Sequence, residues 1–275
     1  MLRGVAGHVD ASGGDATAAF VMLAVMSANL DHIDEDRELA RRYARFSTPV
    51  PEEERRPVSA LAVAARLGLP RETVRRRLAD LVAMGRCVRE DGGFHVPTRV
   101  LATAERREVA LLNFAAVRRL RRDLLAEAPD ASWPQRGPAD EVLDEGDDPP
   151  TRIVSRHSSN FALDFIHHLV VLTGGHEDAV AYMAVVEATW RGPASDESAA
   201  LPGLTIAQSI DRPTESVRRR MTHLVKRGLI ARTERGFIAR HEPHLEPPIQ
   251  AASLATVATL QNLFARLARH GVYLD

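Results

Sequence analysis

The sequence predicts a mainly α-helical chain with small β-hairpins, built from two similar halves. Three observations carry that prediction: an internal repeat, apolar residues at helical spacing on either side of each copy, and an acidic, proline-containing stretch between the copies. The repeat is the sharpest of the three. Pro70 to Phe94 (PRETVRRRLADLVAMGRCVREDGGF) aligns without a gap on Pro213 to Phe237 (PTESVRRRMTHLVKRGLIARTERGF), at a constant offset of 143 residues. Identical pairs include Pro70 and Pro213, Glu72 and Glu215, Val74 and Val217, the arginine triplets, Leu81 and Leu224, Gly85 and Gly228, Gly93 and Gly236, and Phe94 and Phe237.

Taken in chain order, residues 1–15 read as a flexible N-terminus, with several glycines and no apolar core. Ala16 to Phe46 is expected to be helical. Ser59 to Leu67 (SALAVAARL) reads as a short helix with Ser59 as N-cap, ending at Gly68, where a residue without Cβ can turn the chain. A second helix starts near Pro70, because the first helical turn has no intrahelical use for an amide hydrogen. Val74, Leu78, Leu81 and Val82 share its inward face, and Val217, Met221, Leu224 and Val225 repeat that stripe. Gly85 and Gly228 end the two helices. Arg86 to Glu90, Gly92 and Gly93, then Phe94 to Val96 have the alternation and turn residues of a β-hairpin. Glu105 to Leu125 and Ala251 to His270 show apolar helical spacing after each motif, and a helical region from Asn160 to Trp190 precedes the second. Glu127 to Thr151 has the composition of a linker. The expected organisation is therefore 1–15 flexible, 16–126 first half, 127–152 linker and 153–275 second half.

With 275 residues, 45% of them hydrophobic, the chain can bury a sizeable core. Its single cysteine, Cys87, excludes an internal disulfide framework. Ala16 to Val25, the richest apolar stretch, is too short to span a bilayer, so the expectation is a cytoplasmic protein without a membrane partner. The net charge of -1 hides an uneven distribution. Glu127 to Thr151 holds eight acids and one arginine, a net of -7; Arg55 to Arg99 holds ten arginines and four acids, a net of +6; Arg212 to Arg240 holds nine bases and two acids, a net of +7. Two basic motifs and an acidic connector are the footprint expected if the motifs face phosphate.

LGLPRETVRRRLADLVAMG followed by a short hairpin resembles the winged helix-turn-helix of bacterial transcriptional regulators of the MarR, GntR and IclR type, over about forty residues in each half. The resemblance implies two tandem winged helix-turn-helix domains with flanking helices, the hairpins being the wings. In such families the second helix enters the major groove of double-stranded DNA and the wing touches the adjacent backbone or minor groove. Carried over by position, Arg71, Glu72, Thr73 and Arg76 would face bases, and Arg75, Arg77 and Arg89 phosphate. In the second half Thr214, Glu215, Ser216 and Arg219 would face bases, and Arg218, Arg220, Arg232 and Arg235 phosphate. Two departures stand out: Glu90 and Asp91 put acids at the tip of the first wing, and Arg71 is matched by Thr214, which suggests related rather than identical half-sites.

No glycine-rich phosphate loop, nucleophile elbow or paired carboxylate site is present in the sequence, so the expectation is a regulator and not an enzyme, with no cofactor. His167, His168 and His176 with Glu177 and Asp178, and His241 and His244 with Glu242 and Glu246, lack the spacing of a known metal site. Cys87 falls at an apolar position of the first hairpin, matched by Ile230, and reads as a packed thiol. The long amphipathic elements leave homodimerisation open, through Ala16 to Phe46 or the helices after the wings, and a small-molecule effector pocket open as well. The other readings of the same motifs are a replication initiator, a chromosome-organising protein and a protein-interaction module.

Overall fold

In the computed structural model the described residues are 16–127, 133–138, 141–144, 146–189, 199–210, 212–239 and 247–274. The elements, in order, are α1 (Ala16–Glu35), α2 (Arg37–Arg42), α3 (Ala60–Leu67), α4 (Arg71–Ala83), β1 (Val88–Glu90), β2 (Gly93–His95), α5 (Thr98–Leu101), α6 (Ala104–Glu127), α7 (Thr151–Thr173), α8 (His176–Thr189), α9 (Gly203–Ser209), α10 (Thr214–Lys226), β3 (Ile230–Thr233), β4 (Gly236–Ala239) and α11 (Pro247–Arg269). The fold is mainly α with two small antiparallel hairpins, β1–β2 and β3–β4. The expected flexible segment 1–15 lies outside the described residues. Among those described, no single helix is long and apolar enough to cross a membrane; α7 and α8 pass by length and composition only when joined across a 98° break.

Two compact units make up the chain. The first comprises the described residues up to Leu163 together with those from Thr259 onward, and the second runs from Asp164 to Ala258. This division differs from the expected halves. The described part of the acidic stretch belongs to the first unit because its carboxylates and carbonyls are ligands for arginines. Glu141 pairs with Arg37 at 2.7 Å, Arg41 donates to the Glu141 carbonyl at 2.7 Å, and Arg45 donates to the carbonyls of Asp144 and Asp148. Trp133 is buried with its ring edge-on to Phe264, centroids 5.9 Å apart. An acidic composition that reads as a linker is here half of an ion-paired seam.

In the first unit α1 is buried on every side from Ala18 to Val25, so it is the core of the unit and not a surface helix. It ends at Glu35 and not at Phe46, because the Asp36 carboxylate accepts from the amides of Glu38 and Leu39 and starts α2 there. Ser59 caps α3 as its sequence predicts, accepting from the Ala62 amide at 3.1 Å, and Gly68 closes the helix at φ 63°. In α4, Val74, Leu78 and Leu81 are fully buried; each such side chain contributes roughly 2 kcal/mol by leaving water. The hairpin pairs Val88 with His95, Arg89 with Phe94 and Glu90 with Gly93. A third backbone segment joins it: Val58 and Phe94 exchange both hydrogen bonds, each 2.9 Å. Beneath that bridge Asn29 of α1 is wholly buried, donating to the carbonyls of Arg56 and Phe94 and accepting from the Val96 amide.

In the second unit α8 takes the place that α1 has in the first. The expected single helical region from Asn160 to Trp190 is two helices, since Gly174 adopts φ 89° and the chain restarts at His176; Trp190 lies outside the described residues. Thr189 of α8 is wholly buried and accepts from the Ala239 amide at 3.3 Å, doing beneath β4 what Asn29 does beneath β2. Leu201 and Phe237 exchange both backbone hydrogen bonds at 2.9 Å. The structural equivalence therefore runs from Val58–Val96 onto Leu201–Ala239 at the same offset of 143, well before the sequence similarity begins at the prolines.

Candidate functional site

Each unit presents one basic face built on its second motif helix. Residues 71–77 and 214–220 show, position for position, the same succession of exposed, half-buried and buried side chains. The apolar stripe turns Arg71, Glu72, Arg75 and Arg76 to solvent on α4, and Thr214, Glu215, Arg218 and Arg219 on α10, with Thr73 and Ser216 half-buried. On the hairpins Arg89, Arg232 and Arg235 are exposed. Most of the residues singled out from the sequence are thus exposed, and those on α4 and on α10 share one helix face in each unit.

The third arginine of each triplet is set apart. Arg77 is half-buried and pairs with Asp80 at 3.3 Å. Arg220, also half-buried, pairs with Asp178 at 3.1 Å, and Glu177 lies 3.8 Å away. Asp178 is 7% exposed and also meets His223 Nδ1 at 2.9 Å, while Arg212 reaches Glu177 at 3.5 Å. His223 stands at the position of Asp80, so the acid that engages this arginine comes from the same helix in one unit and from the first turn of α8 in the other. Both arginines are held by the protein itself, which removes them from the set most open to phosphate.

The outward charges also differ. Glu72 holds Arg75 at 3.0 Å, and Arg71, Arg76 and Arg89 have no ion-pair partner among the described residues. Glu215 holds two arginines: Arg218 through a bidentate pair at 2.8 Å and Arg219 at 3.2 Å. Hydrogen bonds from those two guanidinium groups bring the Glu215 carboxyl down to about 2. At the tip of the first hairpin Glu90 lies 3.5 Å from the buried His95, whose other ring nitrogen meets Glu52 at 2.8 Å.

Two features were hidden in the sequence. Glu177 and Asp178 follow three histidines in a run without the spacing of a metal site, and nothing in that run shows that Asp178 serves Arg220 and His223; among the described residues no group of three or more His, Cys, Asp or Glu side chains is placed to hold a metal ion. His241, Glu242, His244 and Glu246 lie outside the described residues. Asn29 and Thr189 carried no motif at all. Cys87 is 2% exposed, and burial pushes its thiol up to about 12, as a packed side chain requires. No protein-family model matches this chain, and neither a curated protein nor a solved structure is significantly similar to it.

Proposed function

We propose that the chain is a sequence-specific double-stranded DNA-binding regulator of transcription, in which each unit is a winged helix-turn-helix and α4 and α10 are the recognition helices. The observation that carries this reading is the repetition of one arrangement in two units: short helix, turn, second helix with an arginine-bearing outer face, hairpin, and a bridge from the segment before the first helix. An exposed arginine row on a single helix is ordinary surface, but the same row on the same helix of a duplicated scaffold favours a shared ligand, and the regular anionic surface of duplex DNA fits it. In this reading Arg76 and Arg219 would meet base edges, and the exposed Arg75, Arg89, Arg218, Arg232 and Arg235 would meet phosphate. Two readers in one chain would address two related half-sites: an imperfect palindrome in successive major grooves about 34 Å apart if the units are related by a two-fold, a direct repeat if by translation.

Selection of binding sites from a random duplex library, followed by binding over a salt series, tests this. A recovered motif with two related half-sites is the expected result. Salt-sensitive binding with no motif would replace the regulator by a chromosome-organising protein, and no binding would overturn DNA as the ligand. One observation favours a protein-interaction module as the second reading: Leu61 and Leu204, at equivalent positions on α3 and α9, are 61% and 56% exposed.

A further inference from the structure

Helix α6 buries one narrow face, with Phe114, Val117 and Arg121 inward and Asn113 donating to Ser158 at 2.8 Å. Its opposite face is open. Residues 105, 108, 112, 115, 119 and 122 follow the alternating three- and four-residue spacing that keeps a stripe on one side of a helix, and all are exposed. In order they are Glu105, Glu108, Leu112, Ala115, Arg119 and Arg122. Two acids lead, an apolar pair sits at the centre, and two arginines follow.

That order is its own complement when the helix is reversed. Laid antiparallel against an identical stripe, Glu105 faces Arg122, Glu108 faces Arg119 and Leu112 faces Ala115, about a two-fold axis between positions 113 and 114. We propose that this face is a self-association surface, where α6 pairs antiparallel with α6 of a second copy of this chain. The inference is independent of the DNA-binding reading. The helix macrodipole by itself would favour acids early and arginines late, but it makes no demand on the centre. There Leu112 is 72% exposed, and Ala115 and Ala116 beside it leave room for a second helix to approach closely. A parallel pairing would set acid against acid and arginine against arginine, so the charges select the antiparallel register. In the single chain Arg119 and Arg122 both lean on Asp123, at 3.4 and 3.2 Å; these exposed contacts are weak and easily exchanged for partners across the axis. The other face raised by the sequence, Ala16 to Phe46, is closed to a partner along Ala18 to Val25, which is core.

Sedimentation equilibrium of the full chain at low salt, with the variants Glu108→Arg, Arg119→Glu and the two together, tests the pairing. The wild-type chain is expected to dimerise in the micromolar range, each single variant to weaken the dimer about tenfold or more, and the double variant to recover most of the loss. Positions 108 and 119 are too far apart on one helix to pair with each other, so recovery can only come from a contact between copies. Circular dichroism should be unchanged, because both side chains are exposed. A wild-type chain that stays monomeric well above micromolar concentration, or a dimer indifferent to the single variants, would overturn the proposal.

Discussion

The two motifs, Val58 to Val96 and Leu201 to Ala239, share a backbone and differ in what their charges do. Everything that closes the scaffold is matched: the buried stripe, the glycine after the second helix, the hairpin register and the bridge at Phe94 and Phe237. On the outside the first motif leaves Arg71, Arg76 and Arg89 without an ion-pair partner among the described residues, whereas the second ties Arg218 and Arg219 to one carboxylate. Packing fixes the first set because each of those residues is a neighbour of several others. The outer charges touch little, so they have been free to diverge, and in the proposed function they are where the two readers would come to differ.

The largest expected effect breaks the shared part. A Cβ on Gly93 would lie 2.2 Å from the Val58 carbonyl oxygen, and one on Gly236 would lie 2.1 Å from that of Leu201. Both glycines also sit at φ near the upper end of the positive region, 149° and 146°. No side chain can move aside, since the obstacle is backbone in the bridge itself. Gly93→Ala and Gly236→Ala should therefore each destabilise their unit by about 3 kcal/mol or more in urea unfolding. A tolerated substitution in one unit alone would mean that the two bridges are not equivalent.

A second difference lies beneath the motifs. In the first unit the rings of His157 and His270 stack at 5.3 Å, 2% and 1% exposed, and none of their four nitrogens has a hydrogen bond of ordinary geometry. Burial first, then the neighbouring Arg156 and Arg266, outweigh the opposing pull of Asp34 and push His157 down to about 4; burial lowers His270 as well. The unfolded chain takes up a proton near the ordinary histidine value of 6.5, and the folded chain resists until about 4. Between those limits the unfolded state binds more protons, so stability is full above pH 6.5 and falls as pH drops toward 4, by about 3 kcal/mol at most for this one group. Urea midpoints at pH 7.5 and 5 should show the loss, and His157→Phe, which keeps a ring against His270, should flatten it. An unchanged pH dependence in that variant would place the acid sensitivity elsewhere.

Much of the scaffold was legible in the sequence because the repeat, the caps and the apolar stripes are local signals. Ser59, Gly68, Pro70 and the triplet positions needed no tertiary information. The limits of the units did not follow, because Glu141, Asp144 and Asp148 look like solvated linker until Arg37, Arg41 and Arg45, about a hundred residues away, are seen to meet them. Arg77 and Arg220 were grouped with their neighbours for a similar reason. For Arg220 only the arrival of Asp178 from another helix distinguishes a position that faces protein from one that faces solvent, whereas the acid that meets Arg77, Asp80, stands three residues on in the same helix. Asn29 and Thr189 had no signal, since a single polar residue in an apolar helix does not announce which backbone amide it will meet.

The smallest expected effect is the one that sharpens the comparison most, and it rests on the proposed function. At neutral pH the Glu215 carboxylate is fully charged and masks two arginines; Glu72 masks one. Glu215→Gln and Glu72→Gln remove the same single charge, so any difference between them reflects the arginines released. In duplex binding Glu215→Gln should raise affinity for random sequence about threefold to tenfold and steepen the salt dependence by about two phosphate contacts, against about one for Glu72→Gln. If Glu215 instead accepts a hydrogen bond from a cytosine amino group, the glutamine variant should lose preference at one base position with little gain on random sequence. Equal, uniform gains from both variants would show that Glu215 acts on DNA only through its charge, and the apparent double mask would then have no bearing on how the second motif reads its site.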